Sequence, residues 1–231
     1  MLRGMELGPE AIRSITHDMR NLLTAVRGHA ELALRGLSSE DPIREDIAHC
    51  VVVSAALFDL IDQLDGNDSS GSLIAVNLDT SVAAMRRLLD ALLPPSIELV
   101  FVTGAAGSYV TISKLRVERI VLNLALNARD AMDGGGKLTI STHAVGDEAV
   151  QIVVADTGPG FSPEALEHLF ETGFTTKRAR GGSGQGLSSL AVFVAGIGGS
   201  IEVESALGEG ATVTVTLPTA DLGGPDADVS D

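Results

Sequence analysis

The chain has 231 residues, enough for one large domain or two small ones. Its 31 Asp and Glu against 16 Lys and Arg leave a net charge of −15, which opposes binding to nucleic acid, and with no Trp and one Tyr it lacks stacking platforms for single strands. A single cysteine, Cys50, excludes an intramolecular disulfide and a cysteine-cluster metal site; no apolar run is long enough to span a bilayer and the N-terminus lacks the apolar core of a signal peptide, so the chain reads as cytoplasmic with no membrane segment.

In chain order, the first helix carries an apolar stripe at Ile12, Ile15, Met19, Leu22 and Val26, spaced by three and four. At about 100° per residue His17 falls on roughly the opposite face, near Arg13, Asn21 and Thr24. Residues 36–42, GLSSEDP, combine a helix stop, capping residues and a helix-start Pro, and so divide this segment into a helical hairpin. Cys50 lies in the apolar run AHCVVVSAAL of the second helix and is expected to be a buried core thiol. A hairpin alone cannot bury both apolar stripes, so a homodimer completing a four-helix bundle is expected. The turn-rich stretch 65–72, DGNDSSGS, marks a connection: a hairpin over 1–66, a linker over 67–72, a mixed domain over 73–219 and an acidic tail over 220–231.

The second domain reads as a strand near Leu73–Asn77, a helix over Asp79–Leu92, strands at Ile97–Val102 and Tyr109–Ile112, and a long helix over Ser113–Met132. Strands at Lys137–His143 and Val150–Asp156 follow, with Gly146 and Asp147 in their turn. A loop-rich region then leads to a helix over Gly186–Ala195 and strands at Ser200–Ser205 and Ala211–Leu217. The fold class is therefore α plus α/β: a dimeric helical hairpin, then an α/β sandwich with a mixed sheet and helices on one face.

Four motifs carry chemistry. An exposed His17 is a potential phosphoryl acceptor, with Asp18 next to it as base or orienter and Asn21 one turn on to position a water; taken alone, it reads sooner as a solvated surface residue. Asn123, Asn127 and Asp130 share one helix face among apolar neighbours, and amide oxygens with a carboxylate suit Mg²⁺ held through a nucleotide's phosphates. Asp156 ends an apolar strand and can accept from the exocyclic amine of adenine, with Gly158 and Gly160 letting backbone approach a flat ring. Gly182, Gly184 and Gly186, before Leu187, open a helix where backbone N–H groups can meet phosphates, although such a loop by itself is more often a flexible linker. Lys177, Arg178 and Arg180 lie just before it, cations in an acidic chain.

Together and in this order, the motifs resemble the sensor histidine kinases of two-component systems. His17–Asn21 resembles the H box, Asn123–Met132 the N box, Asp156–Gly160 the G1 box, Leu169–Lys177 the F box and Gly182–Leu187 the G2 box, over about Ile12 to Pro218. The resemblance implies a dimerisation and phosphotransfer hairpin followed by an ATP-binding domain of the Bergerat fold. It implies ATP and Mg²⁺ as cofactors, with Asn127 holding the metal, Asn123 supporting it, Asp156 recognising adenine and Thr212 holding waters near the base. Lys177 and the loop Gly182–Gly186 would face the phosphates, and His17 would pass its phosphoryl group to a response regulator receiver domain. The Asp18 and Asn21 pattern resembles that of members that also dephosphorylate their regulator. The F box departs from the common Phe-Glu-Pro-Phe-Phe, reading Phe170-Glu171-Thr172-Gly173-Phe174. Rival readings are a histidine phosphotransfer protein whose nucleotide domain binds no ATP, an ATPase of the chaperone, gyrase or mismatch-repair type, and an anti-sigma-type kinase.

Overall fold

The computed structural model describes residues 8–38, single positions between 41 and 61, and residues 74–171 and 186–220. The chain divides into two compact units, Met1–Ser70 and Gly71–Asp231.

In the first unit, α1 (Pro9–Gly36) starts behind Gly8 with Pro at its first turn, the position where a missing N–H costs nothing. The described positions from Arg44 to Ile61 include a run of helical residues. Arg44 ties the turn: its Nη1 donates to the carbonyls of Leu34 and Leu37, both at 3.1 Å, satisfying acceptors that the end of α1 leaves open. The covered seam of α1 is Thr16, Arg27, Ala30 and Leu34, and that of the second helix Val51, Ser54 and Ile61, all buried. Arg27, Ala30 and Leu34 advance by three and four with Thr16 earlier on the same face, and Val51, Ser54 and Ile61 by three and seven, a hairpin seam. It is not the apolar stripe read from the sequence: Ile15, Met19, Leu22 and Val26 stay 40–68% exposed on the adjoining face. Cys50 is exposed rather than a core thiol, because it precedes the seam position Val51 by one residue and points about 100° away from it.

The second unit opens with β1 (Ile74–Asn77), antiparallel to β3 (Tyr109–Ile112) in a two-stranded sheet. The Asn77 side chain accepts from Thr80 N and caps α2 (Leu78–Ala84). The expected single helix over Asp79–Leu92 is two, α2 and α3 (Arg86–Leu92), because Met85 (ψ −13°) tightens the junction and its N–H bonds three residues back to Val82 O.

The main sheet has the order β2 (Ile97–Val102), β4 (Gly136–Val145), β5 (Ala149–Asp156), β7 (Ala211–Pro218), β6 (Ser200–Ser205); only β2–β4 is parallel. The parallel crossover runs through α4 (Lys114–Ala131). Strand alternation sends Leu138, Ile140, Val150, Ile152, Val154, Val215 and Leu217 into the core beneath α4, whose Val117, Ile120, Val121, Leu124 and Ala125 are at most 2% exposed. A short α5 (Pro163–Glu167), unforeseen in the loop-rich region, is capped by Ser162 accepting from Ala165 N. The last helix, α6 (Gly186–Gly196), packs on β6 and α4. The whole is an α/β sandwich with a five-stranded mixed sheet. Among the described residues, no helix is long and apolar enough to cross a membrane.

One polar knot fastens the far corner of this unit. Asp79 Oδ1, in the first turn of α2, accepts from Ala105 N at 3.2 Å and from the fully buried hydroxyl of Thr142; that hydroxyl in turn accepts from Gly104 N at 3.2 Å. Asp79→Ala strips two buried donors of their acceptor and should destabilise the domain by about 1–3 kcal/mol in urea unfolding, whereas a change within a few tenths would show that the knot carries no net weight.

Candidate functional site

His17 stands on the third face of α1, neither in the hairpin seam nor on the exposed apolar stripe. Its side chain is 72% exposed and Asp18's 76%. Its Nδ1 lies 3.5 Å from Asp18 Oδ1 and 3.4 Å from Asn21 Nδ2. So H-box residues His17, Asp18 and Asn21 are together, open to solvent, on a rigid helix.

The second cluster is in the other unit. Asn123 and Asn127 are half-buried on α4, and Asp130 is exposed one turn later. Asp130 Oδ1 receives Nε (3.0 Å) and Nη2 (2.8 Å) of Arg129. Asn123 Nδ2 is buried with no hydrogen-bond partner, a cost of about 1–3 kcal/mol that a folded protein ordinarily avoids. A donor left open beside an amide-lined face fits an anionic or water-bearing ligand.

At the end of β5, Asp156 Oδ1 accepts from Gly158 N at 2.8 Å. A carbon on Gly158 would lie 2.8 Å from that same Oδ1 and 3.4 Å from Ala131 Cβ and Met132 Cγ, so the carboxylate and the C-terminal end of α4 border one spot. Gly160 (φ 67°) and Gly210 (φ 85°) are obligatory: a carbon on the first would strike Ala206 O and one on the second Asp156 O. Gly208 N donates to Pro159 O at 2.7 Å, and Ser205 Oγ bridges Phe161 N (2.9 Å) and Gly210 O (2.6 Å). The glycines of the Asp156 loop thus serve close backbone packing against the 206–210 turn.

Thr212 is not beside Asp156. It pairs with Ala155, whereas Ala211 pairs with Asp156, and alternation sends the Thr212 side chain to the sheet face opposite the carboxylate. Leu187 is half-buried in the first turn of α6, which begins at Gly186. Lys177, Gly182 and Gly184 lie outside the described residues, as do residues 172–174 of the F box. Just before them, His168 Nδ1 pairs with Glu171 Oε1 at 2.8 Å, and the hydrogen bond and negative charge of Glu171 raise the imidazole above its usual range.

Sequence reasoning missed Phe193. Its ring on α6 faces two guanidinium groups of α4, Arg116 at 5.0 Å and Arg119 at 5.8 Å from the ring centre. Arg116 and Arg119 precede Asn123 by seven and four residues and so continue the face of Asn123, Asn127 and Asp130. The spacing was visible in the sequence; the aromatic partner was not.

Residues 112–221 match the family described as histidine kinase-, DNA gyrase B-, and HSP90-like ATPase. The chain is 33% identical over 220 residues to sensor kinase CckA of Brucella abortus (strain 2308), covering 88% of this chain and 23% of that protein. It is 31% identical over 234 residues to histidine protein kinase DivJ of Caulobacter vibrioides (strain ATCC 19089 / CIP 103742 / CB 15), covering 90% and 36%. The chain thus spans about a quarter to a third of the length of these relatives. Among solved structures, full-length ShkA in complex with AMPPNP shares the fold with a TM-score of 0.61 at 24% identity, over 93% of this chain and 46% of that one. The catalytic domain of histidine kinase ThkA matches with a TM-score of 0.57 at 25% identity, over 64% of this chain and 98% of that one. Residues 112–221 are therefore a domain of the histidine kinase-, DNA gyrase B- and HSP90-like ATPase family, and over about nine tenths of its length the chain is similar to sensor histidine kinases.

Proposed function

We propose that the chain binds ATP with Mg²⁺, transfers the γ-phosphoryl group to His17 and hands it to an Asp of a response regulator's receiver domain, acting in the cytoplasm. The observation that carries this reading is an exposed imidazole on a rigid helix in the same chain as an amide-lined helix face bordering a strand-end carboxylate.

Each residue has a role its surroundings suit. With a proton on Nδ1 facing Asp18, the lone pair of His17 sits on Nε2, the nucleophile. Nε2 forms a bond to the γ-phosphorus, the bond to the β–γ bridging oxygen breaks, ADP leaves, and the Nδ1 proton passes to Asp18. Asn127, with Asn123, would hold Mg²⁺ through the phosphates, where the ion supplies charge neutralisation. Among the described residues no group of three or more His, Cys, Asp or Glu is set to hold a metal, and an ion bound through amides and phosphates needs none. Asp156, though already engaged by Gly158 N, retains acceptor sites for the adenine amine. Asp130 fixes the Arg129 cation at the rim. Lys177 and the glycines at 182, 184 and 186, with Leu187, border the phosphates.

The exposed Ile15, Met19, Leu22 and Val26 support a homodimer in which a second copy covers this stripe in a four-helix bundle. Asn21 beside His17 supports a phosphatase activity, as a group to orient water for the reverse chemistry.

Incubation with γ-labelled ATP and Mg²⁺ should give acid-labile, alkali-stable label that His17→Ala and Asn127→Ala both abolish. His17→Ala should still bind ATP. Label that survives His17→Ala would sink the assignment of the acceptor. Asp156→Asn should weaken ATP about ten-fold or more in calorimetry, the loss of one charge-assisted hydrogen bond; an unchanged Kd would remove Asp156 from the adenine site.

A further inference from the structure

Helix α6 is apolar nearly all round, GLSSLAVFVAG, with Leu190 and Val194 buried while Val192 is 75% exposed. Burial is non-directional, so a helix of this kind can rotate or slide on an apolar core at small cost. Directional contacts sharpen its register, and at its C-terminal end Val194 O already accepts from Gly199 N at 2.9 Å. The described residues hold three cation–π contacts; two of them converge on Phe193, two turns in from the first residue of α6. Both cations come from the polar face of α4 that carries Asn123 one turn further on, and Arg116 is only 3% exposed, where such a contact is strongest.

We propose that Phe193, gripped by Arg116 and Arg119, is a positioning residue for the nucleotide's phosphates: it locks the first turn of α6, at Gly186 and Leu187, in register with the amide face of α4. This rests on the ATP reading given above. Phe193 itself touches no nucleotide. The adenine end, bordered by Asp156 and the end of α4, is held by the glycine interlock and does not depend on the grip.

The base and the phosphates should therefore respond differently. In the full chain, Phe193→Leu keeps an apolar side chain of similar size and removes the ring. It should weaken Mg·ATP about ten-fold, the worth of the two ring contacts, while leaving adenosine affinity, measured by competition, and Tm near those of the parent. Phe193→Tyr should restore ATP affinity, and Arg119→Gln should reproduce part of the loss. Equal ATP affinity in Phe193→Leu and parent overturns the proposal. So does a parallel loss of ATP, adenosine and Tm, which would make Phe193 ordinary core. A parent chain that binds no ATP overturns the nucleotide reading itself, and the grip's proposed role with it.

Discussion

The nucleotide-binding unit depends on one close approach. Where β5 ends, the backbone at Asp156–Gly160 meets the turn at 206–210 so tightly that a carbon on Gly160 or Gly210 would overlap a carbonyl. Van der Waals exclusion of this kind is steep, so the two segments have essentially one arrangement. That arrangement aims Asp156 from the strand end and holds Gly158 against Ala131 and Met132 of α4. The end of the sheet and the C-terminal end of α4 are thereby fixed together beside the carboxylate. Side-chain chemistry is added to a backbone framework that already determines where it points.

The first unit solves a different problem with one helix. α1 presents three faces: a seam of Thr16, Arg27, Ala30 and Leu34, an exposed apolar stripe of Ile15, Met19, Leu22 and Val26, and the polar face of His17 and Asn21. Because these faces differ by about 100° steps, neither packing surface intrudes on the imidazole. A seam bearing Thr16 and the Arg27–Glu31 pair, at 2.7 Å, is less apolar than the stripe beside it. The Arg27–Glu31 pair stays within α1, while Arg44 ties the turn to the carbonyls of Leu34 and Leu37; the more apolar stripe remains exposed.

This division also explains what the sequence made legible. Long, strongly patterned elements such as α4 and strands β4 to β7 were placed to within about two residues, since alternation and helical spacing there follow a single core. His17 drew attention through its polar neighbours on an exposed helix face, and Asn123, Asn127 and Asp156 as polar residues among apolar helix and strand positions. Three things were not. The apolar stripe of α1 outweighed the true hairpin seam, because hydrophobicity alone does not say which partner covers a face. The Met85 break is a local choice of a three-residue over a four-residue hydrogen bond, which leaves no compositional mark. The pairing of Thr212 with Ala155 was not visible, because adjacent strand residues have opposite faces and the register that distinguishes them depends on β5.

The polar line along α4 is itself an energetic statement. Two Asn residues in a helix interior oppose helix propensity, and one buried amide nitrogen without a partner costs more still. The helix tolerates this because its opposite side is nearly sealed, with Val117, Ile120, Val121 and Ala125 fully buried against the sheet. Stability and ligand chemistry are thus assigned to opposite sides of the same eighteen residues. Apolar side chains at 123 and 127 would relieve that cost and remove the amides on which the proposed nucleotide site rests. The cost localises where a ligand rich in acceptors, such as a polyphosphate, would relieve it, so binding energy and folding energy meet at Asn123.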